Sequence, residues 1–324
     1  MSKLATINKT TLYILLFACF SLLAFCLMSM SDVRYFAKKN ITASDWLKDN
    51  LFGKVKNVQT IEYSVIFQNE EAQKEEIVTH SVKHYNREGY ITENTEFYAD
   101  STMFQKEIYL YDEKRNKIEE LLYDENNVLE QRTKMKYNAQ KLPVSAVLED
   151  EKGKKIQRFT YRYDERGNLT QLTGYDYRGK MAEKSYYTYN QHGSLIKHIS
   201  FGLFGNQKHY YKHDANHKLT EELRTDSKDN FIEKILYQFE NQYKTVKNVH
   251  VDKNDKVLSA IIYVYDDYRN LLEHTYFDEN GNITERYEFA YQYDSKNNWI
   301  QQIFYSGTEK TILSITERVI EYYE

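Results

Sequence analysis

From about residue 80 onward, aromatic and polar residues alternate in short runs, and the runs return at a fixed distance. An aromatic residue or histidine stands directly before an acid or amide at Tyr85, Tyr111, Tyr137, Tyr163, Tyr189, His213, Phe239, Tyr265 and Tyr293. The intervals are 26, 26, 26, 26, 24, 26, 26 and 28 residues. Two positions earlier runs a second column: Tyr109, Met135, Tyr161, Tyr187, Tyr211, Tyr237, Tyr263 and Tyr291. A spacing of two puts both columns on one face of a strand.

Three residues after the acid or amide comes a slot held by Gly89, Gly167 and Gly193, or by Arg115, Lys141, His217, Arg269 and Asn297. This pattern between strand-like runs predicts a type I turn followed by a left-handed residue. A second turn falls about twelve residues on, at 124–127, 150–153, 176–179, 226–229, 252–255 and 278–281. Residues 202–205 keep that spacing with the acid lost. Each 26-residue unit therefore reads strand, tight turn, strand, tight turn. Short turns join antiparallel neighbours, and no interval leaves room for the helical crossover of a parallel sheet. The expected fold is all-β, a repetitive antiparallel meander of some eighteen or more strands over residues 59–324. It is expected to form an elongated curled sheet or open shell, the tyrosine columns inside or half-covered. A β-solenoid with 26-residue rungs is the alternative architecture.

The first 58 residues follow another pattern. Residues 1–10 are a short basic N-terminus, and residues 11–30 hold no charge. That length as a helix crosses a hydrocarbon core of ~30 Å, which predicts one N-terminal hydrophobic helix acting as a transmembrane signal anchor. A cleaved signal peptide, with Ser29 and Ser31 near the cut, and a lipoprotein form modified at Cys19 are the alternatives. Residues 31–58 read as a linker with a short helix. Ser44 would cap it, Trp46, Leu47 and Leu51 would line one side, and Gly53 would end it, sealing the first edge of the array.

Composition sharpens this picture in three ways. Tyrosine supplies 31 of 324 residues beside a single proline, Pro143, which favours strand. The formal charge, 44 − 48 = −4, argues against a strongly basic nucleic-acid binder, so no nucleic-acid partner is expected. Both cysteines, Cys19 and Cys26, lie inside 11–30, leaving the remainder with no disulfide, thiolate metal site or thiol nucleophile.

The segments 161–169 (YRYDERGNL), 109–118 (YLYDEKRNKI), 263–272 (YVYDDYRNLL) and 291–300 (YQYDSKNNWI) resemble the YD, or Rhs-type, repeats of bacterial envelope and secreted proteins. The likeness covers roughly residues 80–324. The unit of 26 residues departs from the roughly 20 of the large toxin-delivery members, and no carboxy-terminal toxin domain is recognisable. The resemblance implies an extracytoplasmic repeat protein of the cell envelope, of a class sometimes credited with carbohydrate binding. It carries over no catalytic residue, because the motif is structural.

Chemistry beyond the repeat is sparse. His209, His213 and His217 look like a metal cluster, yet the repeat places His213 in the tyrosine column and His217 in the turn slot. No nucleophile elbow, phosphate loop or zinc helix is present. The recurring acids sit in turns, where Asp accepts hydrogen bonds from its own backbone. No enzyme activity, cofactor or metal is therefore expected. The expected role is a non-enzymatic, membrane-tethered, extracytoplasmic scaffold or protein-interaction module. A carbohydrate- or peptidoglycan-binding module is the alternative. Its candidate binding face is Tyr161, Tyr163, Tyr187, Tyr189, Tyr211, Tyr263, Tyr265, Tyr291 and Tyr293, because aromatic rings stack on sugars. An accessory or immunity role beside a toxin system is a second alternative. The expected partners are the membrane, through residues 11–30, and a protein or cell-wall glycan. The last strand, 312–322, is expected to offer an edge to a partner strand.

Overall fold

The computed structural model describes residues 44–68, 71–202, 205–241, 244–307 and 309–324. The expected helix over 11–30 lies outside them. Among the described residues no helix is long and apolar enough to cross a membrane.

Among the described residues one short helix, α1 (Asp45–Lys48), precedes twenty strands. They run β1 (Val55–Gln68), β2 (Glu71–Tyr85), β3 (Ile91–Phe97), β4 (Met103–Tyr111), β5 (Lys117–Tyr123), β6 (Leu129–Tyr137) and β7 (Pro143–Asp150). Then come β8 (Lys155–Tyr163), β9 (Leu169–Tyr175), β10 (Met181–Tyr189), β11 (Leu195–Phe201), β12 (Gln207–His213), β13 (Leu219–Asp226) and β14 (Phe231–Glu240). The series ends with β15 (Thr245–Val251), β16 (Val257–Tyr265), β17 (Leu271–Phe277), β18 (Ile283–Tyr293), β19 (Trp299–Ser306) and β20 (Thr311–Tyr322). Every consecutive pair is antiparallel, which excludes the solenoid alternative.

The turns follow the sequence. Gly167 N–H donates to the Asp164 carbonyl at 3.0 Å, and Asp164 Oδ1 accepts from the backbone of Arg166 and Asn168 at 3.0 and 2.8 Å. Where glycine is missing from the slot the backbone is still left-handed, with φ of 68° at Arg115, 62° at Lys141 and 66° at Arg269. After each such turn a bulge slips the register, as between Arg162 and Tyr163. Bulges strengthen the local right-handed twist.

The expected open shell is not what forms: the sheet closes into a barrel. β1 pairs with β20 from Val55↔Tyr322 to Ser64↔Ser314, while also pairing with β2. Twist accumulated over twenty strands brings the first strand to the last, and pairing them satisfies two rows of backbone groups that an open sheet leaves bare. The expectation that 312–322 offers an edge to a partner is thereby corrected, since β20 lies between β19 and β1. The expectation that α1 seals the first edge is corrected for the same reason.

Alternation assigns the two faces. At the tyrosine-bearing ends the residue between the two columns is exposed in seven units: Leu110, Lys136, Arg162, Thr188, Lys212, Gln238 and Gln292. The tyrosines beside them are buried or half-buried. The columns therefore face inward, and the intervening residues form the outer wall. Each strand packs chiefly on its two neighbours, so the walls enclose an open interior rather than meeting in one core.

The segment 44–53 lies over the mouth at the tyrosine end. Trp46 N–H donates to the Gly89 carbonyl at 3.2 Å, and Asp45 Oδ2 accepts from Ile91 N–H at 2.8 Å and the Tyr111 hydroxyl at 3.4 Å. A few residues on, Asn50 donates to the Tyr268 carbonyl, and Asn298 accepts from Phe52 N–H at 2.7 Å. The segment thus links turns on both sides of the β1–β20 junction. Trp46 and Leu51 pack with Val55, Val58 and Tyr85, but Leu47, expected beside them, is 66 % exposed. A Cβ at Gly89, where φ is +85°, would collide with the Trp46 ring, so this turn needs glycine twice over.

Candidate functional site: the tyrosine-lined inner wall

The columns are built to hold strands together. In the aromatic position before the turn, the Tyr111, Tyr137 and Tyr163 hydroxyls donate to the carbonyls of Ile91, Lys117 and Pro143 at 2.8, 2.7 and 2.8 Å. Each bond reaches 20 residues back, into the preceding repeat. Tyr291, in the second column, repeats the step to the Leu271 carbonyl at 2.9 Å. The ring lies toward the neighbouring strand, and its hydroxyl reaches the carbonyl of that strand's first residue. Toward the β1–β20 junction the acceptor changes. Tyr293 donates to the Asp266 carboxylate, Tyr322 to that of Asp294, and Tyr85 to Asp49 at 2.5 Å.

The nine candidate tyrosines do not converge on one site. Tyr187, Tyr189 and Tyr211 pack around Leu195 and Leu219 together with Tyr237. Tyr161 and Tyr163 stand one unit away, and burial raises both phenols well above the usual range. Tyr263 meets the His274 ring edge-on at 6.2 Å, and Tyr265 is raised by burial alone. Tyr291 and Tyr293 lie 6.1 Å apart and line a shallow hollow of about 220 Å³ with Asp266, Asp267, Tyr268 and Leu272. All nine are inner-wall residues strung around the barrel.

Histidine enters this wall as a stack. The Tyr187 and His198 rings are parallel within 1° at 4.6 Å, and His209 follows at 5.3 Å. His209 Nδ1 lies 2.9 Å from Glu222 Oε1, and Glu222 also accepts from the Tyr237 hydroxyl at 3.1 Å. Burial, with help from His209, pushes His198 down to about 4, so its ring is neutral. Burial works to raise Glu222, but the hydrogen bonds and charge around it hold it below the usual range. The three histidines of the sequence cluster do not meet. His209 pairs with Glu222, and His217 lies against His192 in the next turn at 4.3 Å. Among the described residues no group of three or more His, Cys, Asp or Glu side chains is placed to hold a metal ion.

Sequence reasoning missed the residues under segment 44–53. Asn298 is 2 % exposed and donates to the Phe52 carbonyl at 2.8 Å and the Tyr322 hydroxyl at 2.7 Å. Arg318 reaches across the inner wall with its guanidinium 3.4 Å from the centre of the Trp299 ring, and burial lowers it to about 10. The one available signal was that Asn116, Asn168, Asn270 and Asn298 share a single slot of the repeat.

No protein-family model matches the chain, and no curated protein matches it. Among solved structures it is similar to a porin-like protein from Bacteroides uniformis. The TM-score is 0.36 at 12% identity, covering 82% of this chain and 96% of that one. It is also similar to the TcdB2–TccC3 protein without its hypervariable C-terminal region, with a TM-score of 0.36 at 13% identity. There the match covers 78% of this chain but 15% of the other, so the chain spans about a seventh of that protein. A porin-like protein from Bacteroides vulgatus matches with a TM-score of 0.28 at 13% identity, covering 83% and 98%.

Proposed function

We propose that the chain is a non-enzymatic, extracytoplasmic barrel of the bacterial envelope, serving as a scaffold or protein-interaction module tethered through residues 11–30. In this reading its repeats are a small variant of the YD type. The observation that supports it is the use to which the repeated motif is put: the Asp side chain closes its own turn, and the Tyr hydroxyl ties one repeat to the one before. A motif consumed in building the wall leaves function to surfaces rather than to a catalytic centre.

The outer wall supports a barrel standing in water. Arg132, Lys134, Arg158, Arg162 and Lys212 all point outward, where a lipid-embedded barrel needs an apolar band. Fractionation of the native protein, with intact cells treated by external protease in a parallel arm, tests the placement. The expected result is a membrane-associated chain whose repeats are digested once the envelope is opened, while the cytoplasm stays sealed. Recovery in the cytosolic fraction would refute it. Crosslinking from outer-wall positions, followed by isolation of one stoichiometric protein partner, tests the scaffold role.

A further inference from the structure

Five residues before the aromatic position of each turn, on the outer wall, six consecutive units carry a cation: Lys106, Arg132, Arg158, Lys184, Lys208 and Lys234. Ala260 and Glu288 end the series. The six occupy β4, β6, β8, β10, β12 and β14, so one positive charge recurs at every second strand, about every 9.5 Å around the wall.

The second turn decides which of these charges is free. Twenty-one residues after Lys208 and Lys234 its left-handed slot holds Asp229 and Asp255, which pair with them at 2.7 and 2.5 Å. After Lys106, Arg132, Arg158 and Lys184 the same slot holds Asn127, Gly153, Gly179 and Gly205. Lys106, Arg158 and Lys184 instead lie over the rings of Tyr123, Tyr175 and Tyr186 at 5.1, 4.4 and 4.8 Å. Arg132 reaches only Glu119, at 3.9 Å. Among the described residues Lys106, Arg158 and Lys184 thus have no ion-pair partner, while Arg132 keeps one loose pair and faces Glu149, which Lys134 holds at 2.9 Å. Tyr186 and Phe201, 38 % and 40 % exposed, stand beside the track with their rings in edge contact.

We propose that the outer wall from β4 to β10 binds a linear acidic polysaccharide running across the strands. Its carboxylates fall on Lys106, Arg132, Arg158 and Lys184, and its sugar faces on Tyr186 and Phe201. Charge spacing and curvature select this partner. A nucleic-acid strand carries a charge about every 3.4 Å, leaving most of its phosphates unmatched by cations about 9.5 Å apart. The cations follow the curved direction of the wall, so a planar bilayer touches few of them at once. A polymer with one carboxylate per two sugars can follow the curve and meet each in turn. A near-neutral total charge conceals the track because acids elsewhere in the chain balance the count.

The test uses the full chain in detergent and immobilised hyaluronate, which bears one carboxylate per disaccharide. Replacing Lys106, Arg132, Arg158 and Lys184 together by Gln is expected to weaken binding at least about tenfold. The pair Lys208→Gln and Lys234→Gln should change it less than about twofold, because these cations are already paired. A second variant keeps every cation: Gly153→Asp with Gly179→Asp supplies the acid that restrains Lys208 and Lys234, and is expected to weaken binding about threefold or more. Unchanged binding in the fourfold variant or in the Gly→Asp variant overturns the proposal. So does absence of binding by the unaltered protein, or binding of single-stranded DNA or phosphatidylserine vesicles as tight as that of hyaluronate.

Discussion

Two arcs of the barrel are made from the same repeat and held in different ways. In the arc from β6 to β15 the wall is held by contacts between neighbouring strands: Tyr137 and Tyr163 bond to carbonyls of the unit before, and Asn168 bonds to its own Asp164 at 2.9 Å. In the arc from β16 through β20 to β5, the same positions acquire further partners. Asn298, in the slot of Asn168, binds both backbone atoms of Phe52, and Tyr85 gives its hydroxyl to Asp49, which also holds Lys83 at 3.2 Å. The second arc contains the β1–β20 junction, the one pairing in the barrel that no tight turn enforces. A local rule suffices where neighbours are adjacent in sequence. Where they are more than 200 residues apart, closure entropy calls for extra stitching.

The largest effect should come from breaking the repeat in the first arc. Removing residues 161–173 reverses the direction of every later strand and should abolish cooperative unfolding in denaturant. Removing the whole unit 161–186 should preserve it, because each repeat contacts only its neighbours. Identical behaviour of the two deletions would end the repeat account. Next, Asn298→Ala should destabilise by about 2–3 kcal/mol, since it strands buried polar groups of Phe52, whereas Asn168→Ala should cost about 1 kcal/mol. Equal losses in chemical denaturation would remove the distinction between the arcs.

A third effect depends on pH and belongs to the first arc. His198 faces Tyr187, His209 and Glu222, and burial depresses its folded-state value to about 4 from an unfolded 6.5. Between those values the unfolded chain binds the extra proton, so stability is lost as pH falls from about 6.5 toward 4. The loss attributable to this ring is about 3 kcal/mol at pH 4. His198→Phe should flatten that part of the stability profile relative to the unaltered protein, and a parallel profile would refute the assignment. The smallest effect concerns the left-handed slot: Lys141→Gly should stabilise by about 0.5 kcal/mol, visible as a slightly raised denaturation midpoint.

What could be read from the sequence was whatever the chain decides locally. The hairpin period, the turn type and the left-handed slot at Arg115 or Lys141 depend on a few neighbouring residues and repeat often enough to be unmistakable. Closure depends instead on twist summed over twenty strands, and no single segment encodes it. The tyrosine columns were legible as a shared face expected inside or half-covered, and they do face inward; whether that face lined an open sheet or a closed barrel was not legible, because the same alternation serves both. Leu47 misled because a four-residue helix is too short for its apolar side to be predictable. The Lys106 to Lys234 series was printed in the sequence at the same period. It is hidden in the composition because the count of charges nearly cancels overall.

Direct pairing of β1 with β20 also has a bearing on how the molecule is made. Emerging from a ribosome amino end first, the growing sheet carries β1 as a raw margin throughout, and each new hairpin merely moves the opposite margin along. Only when the final strand arrives can the two margins find one another. Until then the nascent wall has two sticky borders, and a helper that shields β1 during synthesis or export would act at the step where misassembly is most probable.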